Sequence, residues 1–212
     1  MRLRKKPWIA AAIEQFQDFV MQQPDDSLQG QWREIFGGSA PLYVELGTGK
    51  GKFISEMAVR LPETYFVGIE AQRDVLFYAA QKVRAVQVNN VRLLVFDINN
   101  LPEIFAPGEI DRLYINFCDP WPKARHDKRR LTHSSFLAKY RHVLKPGGQL
   151  FFKTDNAPLF AFSLEQFAEF GLKVDNVSFD LHNSNYEENV RTEYETKFSG
   201  RGYKIHRCEV TF

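Results

Sequence analysis

The sequence predicts an α/β fold: one mostly parallel, seven-stranded sheet with helices on both faces and an antiparallel hairpin at its C-terminal end. Three observations predict it. Short, nearly continuous apolar runs alternate with helical patterns through the middle of the chain, as expected of strands buried on both faces. A glycine-rich turn, Gly47-Thr48-Gly49-Lys50-Gly51, joins the first such run to a helix. The last two runs have no strong helix between them, which implies a hairpin rather than a crossover.

The elements follow in order. Residues 1–38 read as a basic helical N-terminal arm: Arg2, Arg4, Lys5 and Lys6 cluster, and Ile9, Ile13, Phe16 and Val20 recur at helical spacing. Pro24-Asp25-Asp26-Ser27 breaks that pattern, and Gly37-Gly38-Ser39 marks a hinge before a single domain spanning 39–212. Strands are expected over 42–46, 64–70, 91–97, 110–118 and 149–154, rich in Val, Ile, Leu, Phe and Tyr. Between and after them, helices are expected over 52–60, 74–86, near 102–105, 134–144 and 158–170, where Phe160, Phe162, Phe167 and Phe170 read as core. Lys145-Pro146-Gly147-Gly148 stops the fourth helix and returns the chain to a strand. Runs 174–181 and 203–210 make the hairpin, and residues 182–202 between them are long enough for a working loop.

With 212 residues, 44% hydrophobic and 25% charged, the chain has the composition of an ordinary globular domain. A net charge of +2 does not by itself indicate nucleic-acid binding, but the distribution is uneven. Between 123 and 145, Lys123, Arg125, Lys128, Arg129, Arg130, Lys139, Arg141 and Lys145 stand against the single acid Asp127. Such a patch attracts phosphates. Cys118 and Cys208 are too few for a disulfide framework or a four-cysteine site, and the five histidines lack ligand spacing, so no metal is expected. Glu14 and Gln15 cut the N-terminal apolar run short of a signal peptide, and no run approaches a membrane span. The expected compartment is the cytoplasm.

The densest chemistry follows the fourth strand. Asp119-Pro120-Trp121-Pro122-Lys123 places a carboxylate where a strand ends, the position at which open α/β sheets build their sites. Two prolines restrict the backbone around a tryptophan, and Lys123, Arg125, Lys128, Arg129 and Arg130 follow, with His126 among them. A positioned acid, a flat aromatic and a cationic strip suggest chemistry on a nucleobase with a phosphate backbone held nearby. Cys118, at the end of an apolar strand, reads as packing rather than as a nucleophile.

The glycine turn suggests a cofactor. A P-loop needs four residues before its Gly-Lys and a hydroxyl after it; here Gly47 and Gly51 enclose three, and Phe53 occupies the hydroxyl position. A dinucleotide fold prefers Gly-x-Gly-x-x-Gly, whereas Gly47, Gly49 and Gly51 are spaced Gly-x-Gly-x-Gly. Glu45, just before the first glycine, would repel a pyrophosphate and suits the cationic sulfonium and amine of S-adenosyl-L-methionine. Glu70, ending the next strand, can take ribose hydroxyls, and Asp97, ending the third, can accept from an adenine amine. With Asp119, acids close four successive strands.

Glu45 to Gly51, Gly68-Ile69-Glu70, Phe96-Asp97, Asp119 to Lys123 and Thr192-Glu193-Tyr194-Glu195-Thr196-Lys197-Phe198 together resemble the bacterial tRNA (guanine-N7-)-methyltransferases over nearly the whole chain. The glycine motif is common to many methyltransferases; the Asp-Pro-Trp-Pro-Lys strip and the Thr-x-Tyr-Glu-x-Lys-Phe segment are specific. The resemblance implies a Rossmann-like class I methyltransferase fold and methylation of a guanosine at position 46 of the tRNA variable loop. It implies that Glu45, Gly47, Gly49, Glu70, Asp97 and Asp119 bind the cofactor, with Asp119 also catalytic. It implies that Lys123, Asp155, Thr192, Glu193, Tyr194 and Glu195 contact the substrate, while Arg125, His126, Lys128, Arg129 and Arg130 are expected to hold the RNA.

The chemistry agrees. Guanine N7 carries an in-plane lone pair and needs no deprotonation, so catalysis can rest on placement and electrostatics. Asp155 and Glu195 are candidates to accept from the guanine N1–H and N2–H, and Trp121 or Tyr194 to stack on the base. The partner is then tRNA, and the protein is expected as a monomer or homodimer with no membrane association. A methyltransferase acting on another RNA site or on a small molecule, and a non-enzymatic RNA-binding module, are the competing readings of the same residues.

Overall fold

The computed structural model describes residues 6–212; Arg2, Arg4 and Lys5 lie outside the described residues. The strands are β1 (Val20–Met21), β2 (Leu42–Leu46), β3 (Tyr65–Glu70), β4 (Val91–Val95), β5 (Ile110–Asn116), β6 (Leu144–Thr154), β7 (Lys173–Ser178) and β8 (His206–Thr211). The helices are α1 (Ile9–Ala12), α2 (Trp32–Phe36), α3 (Lys52–Arg60), α4 (Arg73–Ala85), α5 (Ser134–Val143), α6 (Ala157–Glu169) and α7 (Glu193–Ser199). All the strands join one sheet in the order β1-β4-β3-β2-β5-β6-β8-β7. The pairs from β1 to β6 are parallel, and β8 runs antiparallel to both β6 and β7.

The sheet therefore has eight strands where seven were expected. The extra one comes from the N-terminal segment. The helical spacing of Ile9, Ile13 and Phe16 is used, by α1 and the 3-10 turn after it, to bury one face against α4. Val20 leaves the helix and pairs with Leu93, whose N–H donates to the Phe19 carbonyl at 2.9 Å. The free edge of β4 needed a partner for its backbone groups, and that need overrode the periodicity.

Several other bounds differ: β4 stops at Val95 rather than 97, β6 starts at Leu144 rather than 149, β7 covers Lys173–Ser178 rather than 174–181, β8 starts at His206 rather than 203, and the helix expected near 102–105 is a 3-10 segment over Ile98–Glu103. Two further differences bear on the site. The strand expected to reach residue 118 ends at Asn116, because Phe117 donates its N–H to the Lys153 carbonyl at 2.9 Å and then turns out of the sheet with φ +56°. Within 182–202, where no strong helix was expected, Thr192 caps α7 by accepting from the Glu195 N–H at 2.9 Å.

Two apolar cores cover the two faces of the sheet. One packs α1, α3 and α4 against β3 and β4; the other packs α2, α5 and α6 against the central strands, with Phe160 and Phe167 inside it and Phe162 and Phe170 against it. Gly51 has φ +80°, and a Cβ there would lie 2.6 Å from that of Ala79, so only glycine lets α3 start this close to α4. Among the described residues no helix is long and apolar enough to cross a membrane.

Residues 30–33 are fastened as firmly as the core. Trp32 is fully buried, stacks on Phe105 at 5.2 Å and donates its indole N–H to the Ile104 carbonyl at 2.8 Å. The buried Glu109 carboxylate accepts from the backbone N–H groups of Gly30, Trp32 and Ala106. Trp32→Ala should therefore destabilise the whole fold by about 3–5 kcal/mol, measured by urea denaturation at constant m-value.

Candidate active site

The strand order creates the site. β2 lies between β3 and β5; the chain leaves β2 through α3 on one face and leaves β5 toward α5 on the other. The connections diverge and leave a crevice beyond the carboxyl ends of the strands, where such sheets bind ligands. A cavity of about 340 Å³ opens there, lined by Glu45, the turn Gly47–Lys50, Asn116, Phe117 and the start of α7.

Glu45 sits at its floor, 3% exposed. It accepts from the Thr48 hydroxyl at 2.5 Å and from the Asn116 amide at 2.9 Å. Burial pushes its pKa up to about 7, against the opposing pull of those two hydrogen bonds and of the Lys153 charge. Above it, the N–H groups of Gly47 and Thr48 both donate to the Ile69 carbonyl at 2.9 Å, which pins the turn to β3. Gly47 and Gly49 have φ +81° and +56°, and a Cβ on either would meet nothing within 4 Å. The turn is an open cradle of backbone rather than a packed joint.

The other acids line the same edge. Glu70 ends β3 and accepts from the Gln72 N–H at 3.0 Å. Burial raises its pKa, and the charge of Asp119 adds to that, while the amides of Gln72, Gly49 and Ala71 oppose it. Asp97 lies two residues beyond β4, exposed, and accepts from both the backbone and the side-chain nitrogen of Asn99 at 2.9 Å. Asp119 is exposed and lies three residues beyond β5, the strand-end place itself being taken by Asn116. Asn116 escaped sequence reasoning because the apolar Phe117-Cys118 pair prolonged the strand pattern past it.

A second cavity, of about 330 Å³, is lined by Asp97, Asn99, Trp121, Lys128 and Arg129 among others. Trp121 is half-buried, with φ +42°, and faces this cavity rather than the apolar core. Cys118 packs against the core, and burial followed by the nearby Asp119 charge pushes its thiol up to about 12, the state of an inert cysteine.

The basic strip divides in two. Arg130 is used inside the fold, donating to the Trp121 carbonyl at 3.1 Å and lying 4.3 Å over the Phe162 ring. Arg129 lies 4.9 Å over the Trp121 ring, and His126 meets the same ring edge-on at 5.8 Å. Lys123, Arg125 and Lys128 are exposed around the 3-10 turn Ala124–Arg129.

The C-terminal candidates also separate. Tyr194 is exposed at the mouth of the crevice, its ring 5.1 Å from Phe117 and stacked on Phe198 at 4.1 Å, and its hydroxyl donates to Asp155 at 3.2 Å. Glu193 pairs with Lys82 at 2.7 Å. Glu195, expected to face the base, is fully buried and accepts from Lys153, His182 and Asn189. The structure does not bring it to the substrate side; α7 points it inward, one helical step from Tyr194. Lys153, His182 and Asn189 were not legible as a group, since they meet only in the fold.

Fold and crevice together define a Rossmann-like methyltransferase. A solved antibiotic-related methyltransferase superposes with a TM-score of 0.63 at 17% identity, covering 84% of this chain and 90% of its own. The 16S rRNA methyltransferase KamB superposes at 0.62 with 14% identity over 95% and 93% of the two chains. At such identities the likeness is one of fold. A family profile described as "Putative methyltransferase" matches residues 39–208. The tRNA (guanine-N(7)-)-methyltransferase of Halalkalibacterium halodurans is 51% identical over 212 residues, 100% of this chain and 96% of that protein. That of Bacillus subtilis is 49% identical over 210 residues, 99% and 98% of the two chains. The chain belongs to the tRNA (guanine-N(7)-)-methyltransferase family.

The elevated Glu45 has a cost in stability. Its pKa in the folded protein lies above the unfolded value, so unfolding is favoured as pH rises from about 4.5 to about 7 and the loss is complete above that window. Glu45→Gln removes the loss. It should stabilise the ligand-free protein by about 1–3 kcal/mol at pH 8 and by almost nothing at pH 4.5, read from paired denaturation curves.

Proposed function

We propose that the protein transfers a methyl group from S-adenosyl-L-methionine to N7 of a guanosine in tRNA, at position 46 of the variable loop. The observation that carries this reading is the buried Glu45 beneath an open glycine cradle at the point where the sheet reverses its strand order. The residues fit the cofactor: the cradle leaves room for a ligand against the backbone, and an acid at its floor suits a cationic group better than a phosphate. When bound, the cofactor supplies an electrophilic methyl on a sulfonium. Glu45 holds its cationic end, Glu70 the ribose hydroxyls, and Asp97 the adenine amine, with Trp121 on the wall beside it.

The chain's own part in the reaction is placement and charge. N7 attacks with a lone pair it already has, so no residue must remove a proton first. Positive charge grows on the guanine, and in this reading the carboxylate of Asp119, which is exposed, offsets it. Asp155, oriented by the Tyr194 hydroxyl, accepts from the Watson–Crick edge of the base. Lys123, Arg125 and Lys128 hold phosphates and set the register of the tRNA without reading its sequence. On this reading the enzyme works in the cytoplasm.

Incubation with labelled cofactor and bulk tRNA, followed by nuclease digestion, should yield 7-methylguanosine; label in any other nucleoside would overturn the assignment. Asp119→Ala should lower kcat by about 10²-fold or more while the protein still binds tRNA. Arg125→Ala with Lys128→Ala should weaken tRNA binding and flatten its logarithmic salt dependence by about one unit per lost phosphate contact, with kcat at saturation kept within about threefold.

A further inference from the structure

A second group of buried charges lies behind the crevice, and its centre is Lys153 on β6. Lys153 is 6% exposed and its partner Glu195 0%. The ammonium donates to Glu195 Oε2 at 2.8 Å, to Asn189 Oδ1 at 3.0 Å and to the Val190 carbonyl at 2.9 Å, so all three of its protons are placed. The other Glu195 oxygen accepts from His182 Nε2 at 2.8 Å and from Asn189 Nδ2 at 2.6 Å. Burial acts against the Glu195 carboxylate, but the Lys153 charge and these hydrogen bonds outweigh it and hold the group below its ordinary pKa.

These partners come from both ends of one segment. His182 lies at the start of the strap between β7 and α7, Asn189 and Val190 lie near its end, and Glu195 lies in the first turns of α7. The same lysine also touches the crevice. Its carbonyl accepts from the Phe117 N–H, the bond at which β5 turns out of the sheet, and its ammonium lies 5.4 Å from the ring of Phe53, which lines the cavity. Beyond Phe117 stands Tyr194. Strap, helix and strand end therefore converge on one ammonium.

A buried ion pair is a poor source of net stability, because two apolar side chains of similar volume hold a fold as well. What a fully hydrogen-bonded pair provides is a single geometry. We propose that Lys153 is a positioning residue for methyl transfer, fixing the strap and α7 through Glu195, Asn189 and Val190 so that Tyr194 and Asp155 stand at the mouth of the crevice. The inference rests on the function proposed above. Lys153 also biases the floor of the site. Of the groups facing Glu45, Thr48 and Asn116 donate hydrogen bonds to it, Lys153 favours its charged form, and Glu193 disfavours it.

The test uses two variants of the full chain. Lys153→Met alone strands the Glu195 charge in the interior and is expected to lower the melting temperature sharply. Lys153→Met/Glu195→Gln removes both charges, so most of the melting temperature should return and S-adenosyl-L-methionine should still bind. A residue that only held the fold together would then leave catalysis intact. For a positioning residue, kcat at saturating tRNA and cofactor stays down by about tenfold or more, and the pH midpoint of cofactor binding moves upward because Glu45 has lost a positive neighbour. Wild-type kcat with an unshifted midpoint in the paired variant overturns the role of Lys153. Failure of the unmodified protein to bind the cofactor or methylate tRNA overturns instead the function on which the inference rests.

Discussion

Everything at the site depends on one constraint: β2 is hydrogen-bonded in parallel to a neighbour on each side, and its two neighbours are reached by chain that crosses opposite faces. Parallel pairing forces each crossover through a helix, so the loops that follow β2 and β5 cannot close over the same edge. The crevice is what they leave uncovered. The glycine turn has to fit inside it, which explains the contact between Gly51 and Ala79, and the strip after Asn116 has to turn away from it, which explains the left-handed backbone at Phe117. The glycine cradle and the basic strip after Asn116 are thus two results of one topological fact.

Two buried carboxylates show how differently the fold treats charge. Glu195 is surrounded by donors and a cation, and its ionised form belongs to the native structure. Glu45 lies almost as deep, and among the described residues its hydrogen-bond donors are the Thr48 hydroxyl and the Asn116 amide. The first is a finished joint. The second is opposed by its burial and has Lys153 only as a neighbouring charge, not as a hydrogen-bond partner. The contrast separates an acid that the fold satisfies with a cation from one whose charge its burial opposes.

Much of this was legible in the chain itself. The turn and helix after β2 were readable because glycine spacing and a helical run abut there, and 52–60 is the helix α3 observed. The places of Glu45 and Glu70 were readable because they stand at the ends of apolar runs, Glu70 as the last residue of β3 and Glu45 one residue before the end of β2. Two kinds of residue were not. Val20 carries a helical spacing but serves a strand, since the demand of an unpaired β4 edge lies 73 residues away (Val20 to Leu93). Glu195 sits in a motif that looks substrate-facing, yet its direction is set by Lys153, 42 positions earlier in sequence. Local pattern records which residues are adjacent in the chain; it does not record which charge a buried acid will meet. Asn116 is a milder case, hidden by an apolar pair that continued the strand signal past the true turn.

The two rims of the sheet have a consequence of their own. On one side the last strand, β1, is two residues long. On the other, β7 carries Lys173 and Asp175, breaks register between Asp175 and Ser178, and bends at Asn176 with φ +52°. A short rim and a charged, bulged rim both refuse another strand. Edge-to-edge pairing of two copies through these rims, the first step toward extended ribbons, is therefore disfavoured.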